Sequence, residues 1–364
     1  SFPLILQLPI NGRITALEAL KFGSLPTSAV FILLERLQFA VISYNNDKPK
    51  GEKISPYPVQ THASGSLTGG EGDNSRPNEN GTLVTVNSRC IALHAFEGLL
   101  TILPVDPNYT PSSNANPCKK EALGTPFHCR LEEHTVLDIA FLPSSEHLLL
   151  ALLYQDSRGA QHVTTNVVNL QKQQLHLYGS QSVSDVPWLK KSSLDGGSSI
   201  LMPVHDSSGP PGVIVLGQRQ FTYCSPSSTK IIPVPQALFL AFAKVPAESG
   251  SPRFLIGDEF GNLHMLHVVV VNNRVVSLQI EALGSWTMAS SIVYLDNGLV
   301  FVASSLGDSQ LVQIHSEPIA VEEDALADTT YLSILEEYTN LGPIPDFDLV
   351  PTAPGQQSQV VMAS

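Results

Sequence analysis

Short apolar runs rich in Val, Ile, Leu, Phe and Tyr recur along this chain every ~8 to 14 residues, separated by clusters of Gly, Pro, Asn, Asp and Ser. Such spacing belongs to β-strands joined by tight turns, and apolar positions at helical spacing are nearly absent. The stretch from Tyr294 to Ile314, YLDNGLVFVASSLGDSQLVQI, shows the unit most clearly. Asn297-Gly298 is a two-residue hairpin signal, because a type I′ turn needs positive φ at both central positions and these residues accept it. Leu299 to Ala303 then reads as a buried strand, Leu306-Gly307-Asp308-Ser309 as the next corner, and Gln310 to Ile314 as the following strand.

The same meander repeats. Ile14 to Leu20, Ala29 to Glu35 and Leu37 to Tyr44 form one triplet of strands; Thr82 to Val86, Cys90 to His94 and Leu99 to Val105 form a second. Val136 to Leu142, His147 to Tyr154 and His162 to Asn169 make a third, and Ser199 to Val204, Val213 to Gly217 and Gln220 to Cys224 a fourth. Ala237 to Val245, Arg253 to Gly257 and Asn262 to Val270 follow, and Ser290 to Leu295 opens the sixth set. A fourth, more polar run trails each triplet, as in Phe127 to Glu133, Val275 to Leu283 and Tyr331 to Tyr338. An apolar inner trio with a polar outer strand is the build of a propeller blade, whose outermost strand meets solvent along its edge and can carry charge. The expected fold is all-β: a β-propeller of four-stranded antiparallel blades. It is of non-WD40 type, because the Gly-His and Trp-Asp marks are missing. Six blades are expected in full, with Leu4 to Leu8 and Ile344 to Met362 contributing to an incomplete seventh. The whole of 1–364 then forms a single propeller domain, with both ends reading as cut edges of a ring.

Three stretches interrupt the repeat. Residues 46–80 are rich in Gly, Ser, Pro and Lys, bury little apolar surface by composition, and are expected to form a mobile loop. Weaker insertions span Pro107 to Gly124 and Asp324 to Asp328. Composition narrows the function. Lys plus Arg is 20 against 33 Asp plus Glu, a formal charge of −13 that repels phosphate backbones, so nucleic-acid binding by this segment is disfavoured. Cys90, Cys118, Cys129 and Cys224 fall at irregular spacings without a CxxC pair, which suits reduced, buried thiols better than a disulfide framework or a zinc site. No run of ~18 apolar residues predicts a membrane span.

Catalytic and cofactor chemistry find no convergent residues. His128, His134, His162, His264, His267 and His315 lie on different units without metal-ligand spacing, and His264 and His267 point to opposite faces of one strand. Gly217-Gln218 and Gly257-Asp258-Glu259-Phe260-Gly261 open no helix, so they read as strand turns rather than phosphate loops. Glu132-Glu133 alternate faces and do not meet as an acid and base. The expectation is a non-enzymatic protein without metal or cofactor. Asn80-Gly81-Thr82 and Asn108-Tyr109-Thr110 match glycosylation triplets that no secretory signal supports.

Specific words in the repeats go further than the blade pattern. RPNENG (Arg76 to Gly81), RLEEHTVLDIAFL (Arg130 to Leu142), YQDSRGAQHV (Tyr154 to Val163), VLGQRQFTY (Val215 to Tyr223) and LIGDEFGNLHML (Leu255 to Leu266) occur in order. YLDNGLVFVASSLGDSQLV (Tyr294 to Val312) and YTNLGPIPD (Tyr338 to Asp346) complete the series. Together they resemble the first propeller of the family of damaged-DNA-binding-protein large subunits, over nearly the whole chain. The large propeller subunits of the cleavage-polyadenylation and splicing machineries share the superfamily and are similar at the blade level. The resemblance implies a scaffold in DNA damage response and protein ubiquitination: the adaptor of a cullin-RING ubiquitin ligase, located in nucleus and cytoplasm. In that family another propeller holds the cullin, while this one and the third grip substrate receptors, WD40 proteins among them, through a helical segment. The alternative is a scaffold of a pre-mRNA cleavage-polyadenylation or splicing complex.

One corner is the candidate contact. Within a blade, the corner between the second and third strands and the crossover after the fourth lie on one face. This places Leu306-Gly307-Asp308 beside Asn340-Leu341-Gly342-Pro343-Ile344, with Asn297-Gly298 on the other face. Leu306, Leu341, Pro343 and Ile344 are large apolar residues where turns favour polar ones; they either plug the end of the core or form a small socket for a partner helix. Asp308 either caps a turn or faces a basic residue of that helix.

Overall fold

The computed structural model describes residues 6–21, 28–44, 59–67, 76–109, 121–133, 135–144, 147–177, 190–191, 194–204, 212–225, 228–246, 251–272, 274–319, 330–340, 346–350 and 359–363. Among them there is no helix. The strands form six consecutive antiparallel meanders. The first blade holds β1 (Ile14–Leu20), β2 (Ala29–Leu34), β3 (Gln38–Tyr44) and β4 (Val59–Ser66). The second holds β5 (Leu83–Asn87), β6 (Cys90–Phe96), β7 (Leu99–Pro104) and β8 (Phe127–Arg130). In the third, β9 (Thr135–Leu142), β10 (Leu149–Gln155) and β11 (Gln161–Asn169) are edged by β12 (Gln174–Leu177) and by the short β13 (Lys190–Lys191), both paired to β11. The fourth comprises β14 (Ile200–Val204), β15 (Gly212–Leu216), β16 (Gln220–Cys224) and β17 (Thr229–Pro233). The fifth comprises β18 (Phe239–Val245), β19 (Arg253–Asp258), β20 (Asn262–Val271) and β21 (Arg274–Ser285). The sixth comprises β22 (Ser291–Tyr294), β23 (Leu299–Ala303), β24 (Ser309–Ile319) and β25 (Thr330–Tyr338). A separate hairpin pairs β26 (Asp346–Val350) with β27 (Gln359–Ala363).

Packing divides the chain into two compact units, Ser1–Leu194 with blades one to three and Asp195–Ser364 with blades four to six and the β26–β27 hairpin. In the first unit, inner strand β1 packs on β5 and β5 on β9. In the second, β14 packs on β18 and β18 on β22, while outer strands β17, β21 and β25 follow one another at the rim. Blades are therefore stacked radially, inner strand to inner strand, within each unit. Each apolar core lies between neighbouring blades: Phe31, Leu33 and Val41 meet Ile91 and Leu93, and Ile214, Phe221 and Tyr223 meet Phe254 and Ile256. Middle strands are covered on both faces, and for this reason β10 loses polar alternation and reads LLALLYQ.

The opening hairpin is a type I′ turn. Asn297 and Gly298 have φ of 50° and 78°, and Leu299 N–H donates to Asp296 O at 2.8 Å. A Cβ on Gly298 would stand 2.6 Å from Gln313 Nε2, so the position needs glycine for space as well as for φ.

Two expectations need correction. Residues 46–80 are not one loop: Val59–Ser66 is the outer strand of blade one, with His62 and Ala63 buried. Gly, Ser and Lys around it lower the local hydropathy, and the strand is held by ladder bonds to β3 and by His62, which bonds Ser43 Oγ at 2.7 Å and Tyr109 OH at 2.9 Å. Residues 45–58 and 68–75 lie outside the described residues. Leu4 to Leu8 supplies no strand in its described part, since residues 6–8 join no sheet. Two apolar positions with one polar residue between them are too short a run to specify a register.

Candidate functional site

The turns between the second and third strands of blades three and five follow one plan. Each reads Asp-x-x-Gly-x-x-His, Asp156 to His162 and Asp258 to His264. Asp258 Oδ1 accepts from the N–H groups of Phe260 at 3.0 Å and Asn262 at 2.8 Å; Oδ2 accepts from Asn262 Nδ2 at 3.0 Å and His264 Nε2 at 3.0 Å. Asp156 repeats this with Arg158 N–H at 2.8 Å, Ala160 N–H at 2.9 Å and His162 Nε2 at 2.9 Å. Short Asp side chains suit the role because they reach back to amides two and four residues on. The glycines, Gly159 and Gly261, take φ of 82° and 78°. Burial pushes the Asp258 carboxyl up, but the bonds from His264 and Asn262 outweigh it and hold the group below its ordinary value.

Blade six keeps the frame with different chemistry, Ser304 to Gln310. Ser304 Oγ accepts from Gly307 N–H at 3.0 Å, and buried Gln310 accepts from Thr287 N–H at 3.3 Å and donates to Glu337 at 2.9 Å. Asp308 Oδ1 accepts from Asn340 N–H at 2.8 Å, and Asn340 Nδ2 donates to Ser304 O at 3.0 Å. The corner is thereby tied to the chain leaving β25.

These turns form one continuous surface across blades five and six. Glu259 N–H donates to Leu238 O at 2.8 Å and Leu238 N–H to Glu259 Oε1 at 3.1 Å, stitching the crossover from blade four to the Asp258 turn. Trp286 N–H donates to Gly261 O at 2.7 Å, and a Cβ on Gly261 would stand 2.5 Å from Trp286 O. Thr287 then abuts Gly307. Phe260, 69% exposed, and Leu306, 61% exposed, are raised on this framework. Beside them a cavity of about 860 Å³ is walled by Phe239, Phe260, Trp286, Leu332 and Ile334, with Asp258 and His264 at one side.

Of the residues singled out in the sequence, Leu306 stands in solvent and Asp308 is engaged by Asn340. Leu341, Pro343 and Ile344 lie outside the described residues. The sequence reading took Asp258 and Phe260 for a plain strand turn and His264 for a histidine without ligand spacing, and it passed over Trp286, although the Asp-x-x-Gly-x-x-His repeat was there to find. No group of His, Cys, Asp and Glu able to hold a metal occurs among the described residues.

Residues 3–344 match the family model described as RSE1/DDB1/CPSF1 first beta-propeller. DNA damage-binding protein 1 of Solanum lycopersicum is 35% identical over 366 aligned positions, which cover 99% of this chain and 29% of that protein. DNA damage-binding protein 1a of Arabidopsis thaliana is 36% identical over 364, again 99% of this chain and 29% of the relative. The Oryza sativa subsp. japonica DNA damage-binding protein 1 is 35% identical over 363, with the same coverage of both. The chain thus spans under a third of these relatives' length, and it belongs to the RSE1/DDB1/CPSF1 first β-propeller family.

Proposed function

We propose that this member of the first-propeller family is one jaw of a protein-interaction scaffold, the adaptor of a cullin-RING ubiquitin ligase acting in DNA repair. The observation that carries the reading is the blade-six corner: Leu306 is 61% exposed on a turn fixed by Ser304, Asp308 and Asn340, so its apolar side chain is held out at no cost in loop order. A rigid, exposed apolar residue on a loop face suits protein docking better than catalysis. In this reading the corner takes a helical segment of a substrate receptor of WD40 type, other propellers of the full-length chain complete the clamp, and another propeller holds the cullin. The protein works in nucleus and cytoplasm, without enzymatic activity, and this acidic segment makes no direct nucleic-acid contact. The family's description also names RSE1 and CPSF1, and a pre-mRNA-processing scaffold is the alternative reading, but the DNA damage-binding relatives align over 99% of the chain, which favours the adaptor.

Affinity purification of the full-length protein separates the two. Recovery of a cullin with WD40 receptors supports the adaptor, whereas recovery of polyadenylation or splicing subunits in their place overturns it.

A further inference from the structure

Charge is divided unevenly along this chain. Residues 1–250 carry 19 Asp plus Glu against 18 Lys plus Arg, while residues 251–364 carry 14 against two. Those two bases, Arg253 and Arg274, begin β19 and β21, at the ends of blade five away from the Asp258 turn and from Ser285. Among the described residues, no Lys or Arg lines the cavity beside Phe260. Glu337 shares a face of β25 with half-exposed Ile334 and accepts from Gln310 Nε2 at 2.9 Å, and Glu259 precedes Phe260. Carboxylates beside an aromatic hollow whose lining holds no base favour a cationic partner by Coulomb attraction, which acts on encounter rate and on choice of partner.

The hollow also has a donor to satisfy. Trp286 Nε1 is buried and has no hydrogen-bond acceptor. A buried N–H left unpaired is costly.

We propose that the cavity between β21 and β25 docks a Lys/Arg-rich peptide segment that inserts one aromatic or large aliphatic side chain against Phe239, Phe260, Trp286 and Ile334, with its bases facing Glu259 and Glu337. The inference rests on the scaffold reading of this face and adds the chemistry of the partner. The apolar anchor supplies burial and the carboxylates supply selectivity.

Three fluorescein-labelled synthetic peptides test it against the full-length protein by fluorescence polarisation: one with a Phe-Leu anchor flanked by Lys and Arg, one with Glu in place of the bases, and one with Ser in place of the anchor. The first should bind at least tenfold tighter than the other two. Phe260→Ser or Ile334→Lys should each weaken it about tenfold while the protein melts at the parent temperature, as expected for exposed positions. A benzophenone side chain at position 260 should cross-link the first peptide only. Equal binding of the anchored acidic peptide, or unchanged affinity in both variants, overturns the proposal. Receptor recovery in the purification above is a separate readout, so the basic-segment inference can fail while the jaw stands, and the reverse.

Discussion

Blades three and five carry the same turn in different surroundings. Asp156 keeps a side chain 33% exposed, whereas that of Asp258 is 4% exposed, although the two share their backbone and His bonds almost atom for atom. At the first turn water can replace any partner that is lost. At the second the carboxylate is out of water, so each bond has no substitute. One motif thus serves as a local turn stabiliser in one blade and as the foundation of an exposed aromatic surface in another.

Removing the carboxylates should separate the two most sharply. Asp258→Ala leaves two amides and His264 Nε2 without an acceptor in a buried place, and should cost about 3 kcal/mol in denaturant unfolding of the second unit. Asp156→Ala should cost distinctly less, and equal losses would show that burial does not set the difference. His94 supplies a third case, a buried polar group with neither ring nitrogen bonded. Burial pushes its pKa down to about 4. The unfolded chain therefore binds a proton near pH 6.5 that the folded one refuses until about pH 4, and stability falls between those values as pH falls, by at most about 3 kcal/mol. His94→Leu should remove that acid sensitivity without loss at pH 8, where the ring is neutral in both states. Asp258, also held below its ordinary value, adds a term of the same sign at lower pH: its stabilisation is present above the unfolded carboxyl pKa and is lost as pH falls through the lower folded value. Asp308→Ala deletes one bond to Asn340 N–H at a half-exposed site and should cost about 1 kcal/mol, read as a small drop in melting temperature.

Much of this architecture was legible because the blade repeat writes itself in strand length and turn chemistry. Asn297-Gly298 predicted its own turn, and β22 to β25 fell within a few residues of the apolar runs. The outer strand β4 was not legible, because Val59-Gln60-Thr61-His62 is polar and its burial depends on Ser43 and on Tyr109, which is distant in sequence. At the candidate site, exposed Leu306 could be found from an apolar residue in a turn. Phe260 could be found by the same rule, but its sequence neighbours Asp258 and Gly261 drew the reading toward a plain strand turn. The cavity was hidden for a different reason: Phe239, Trp286 and Ile334 come from three separate strands and connections, and only radial packing of blades five and six brings them together.

The central claim, that this surface grips a partner rather than plugging a core, is tested most directly by Leu306→Glu in the full-length protein, with receptor affinity and cullin recovery measured side by side. The melting temperature should stay unchanged and cullin binding intact, while receptor affinity weakens by about 1 to 3 kcal/mol. Undiminished receptor affinity in a variant that still melts cooperatively at the parent temperature would contradict it.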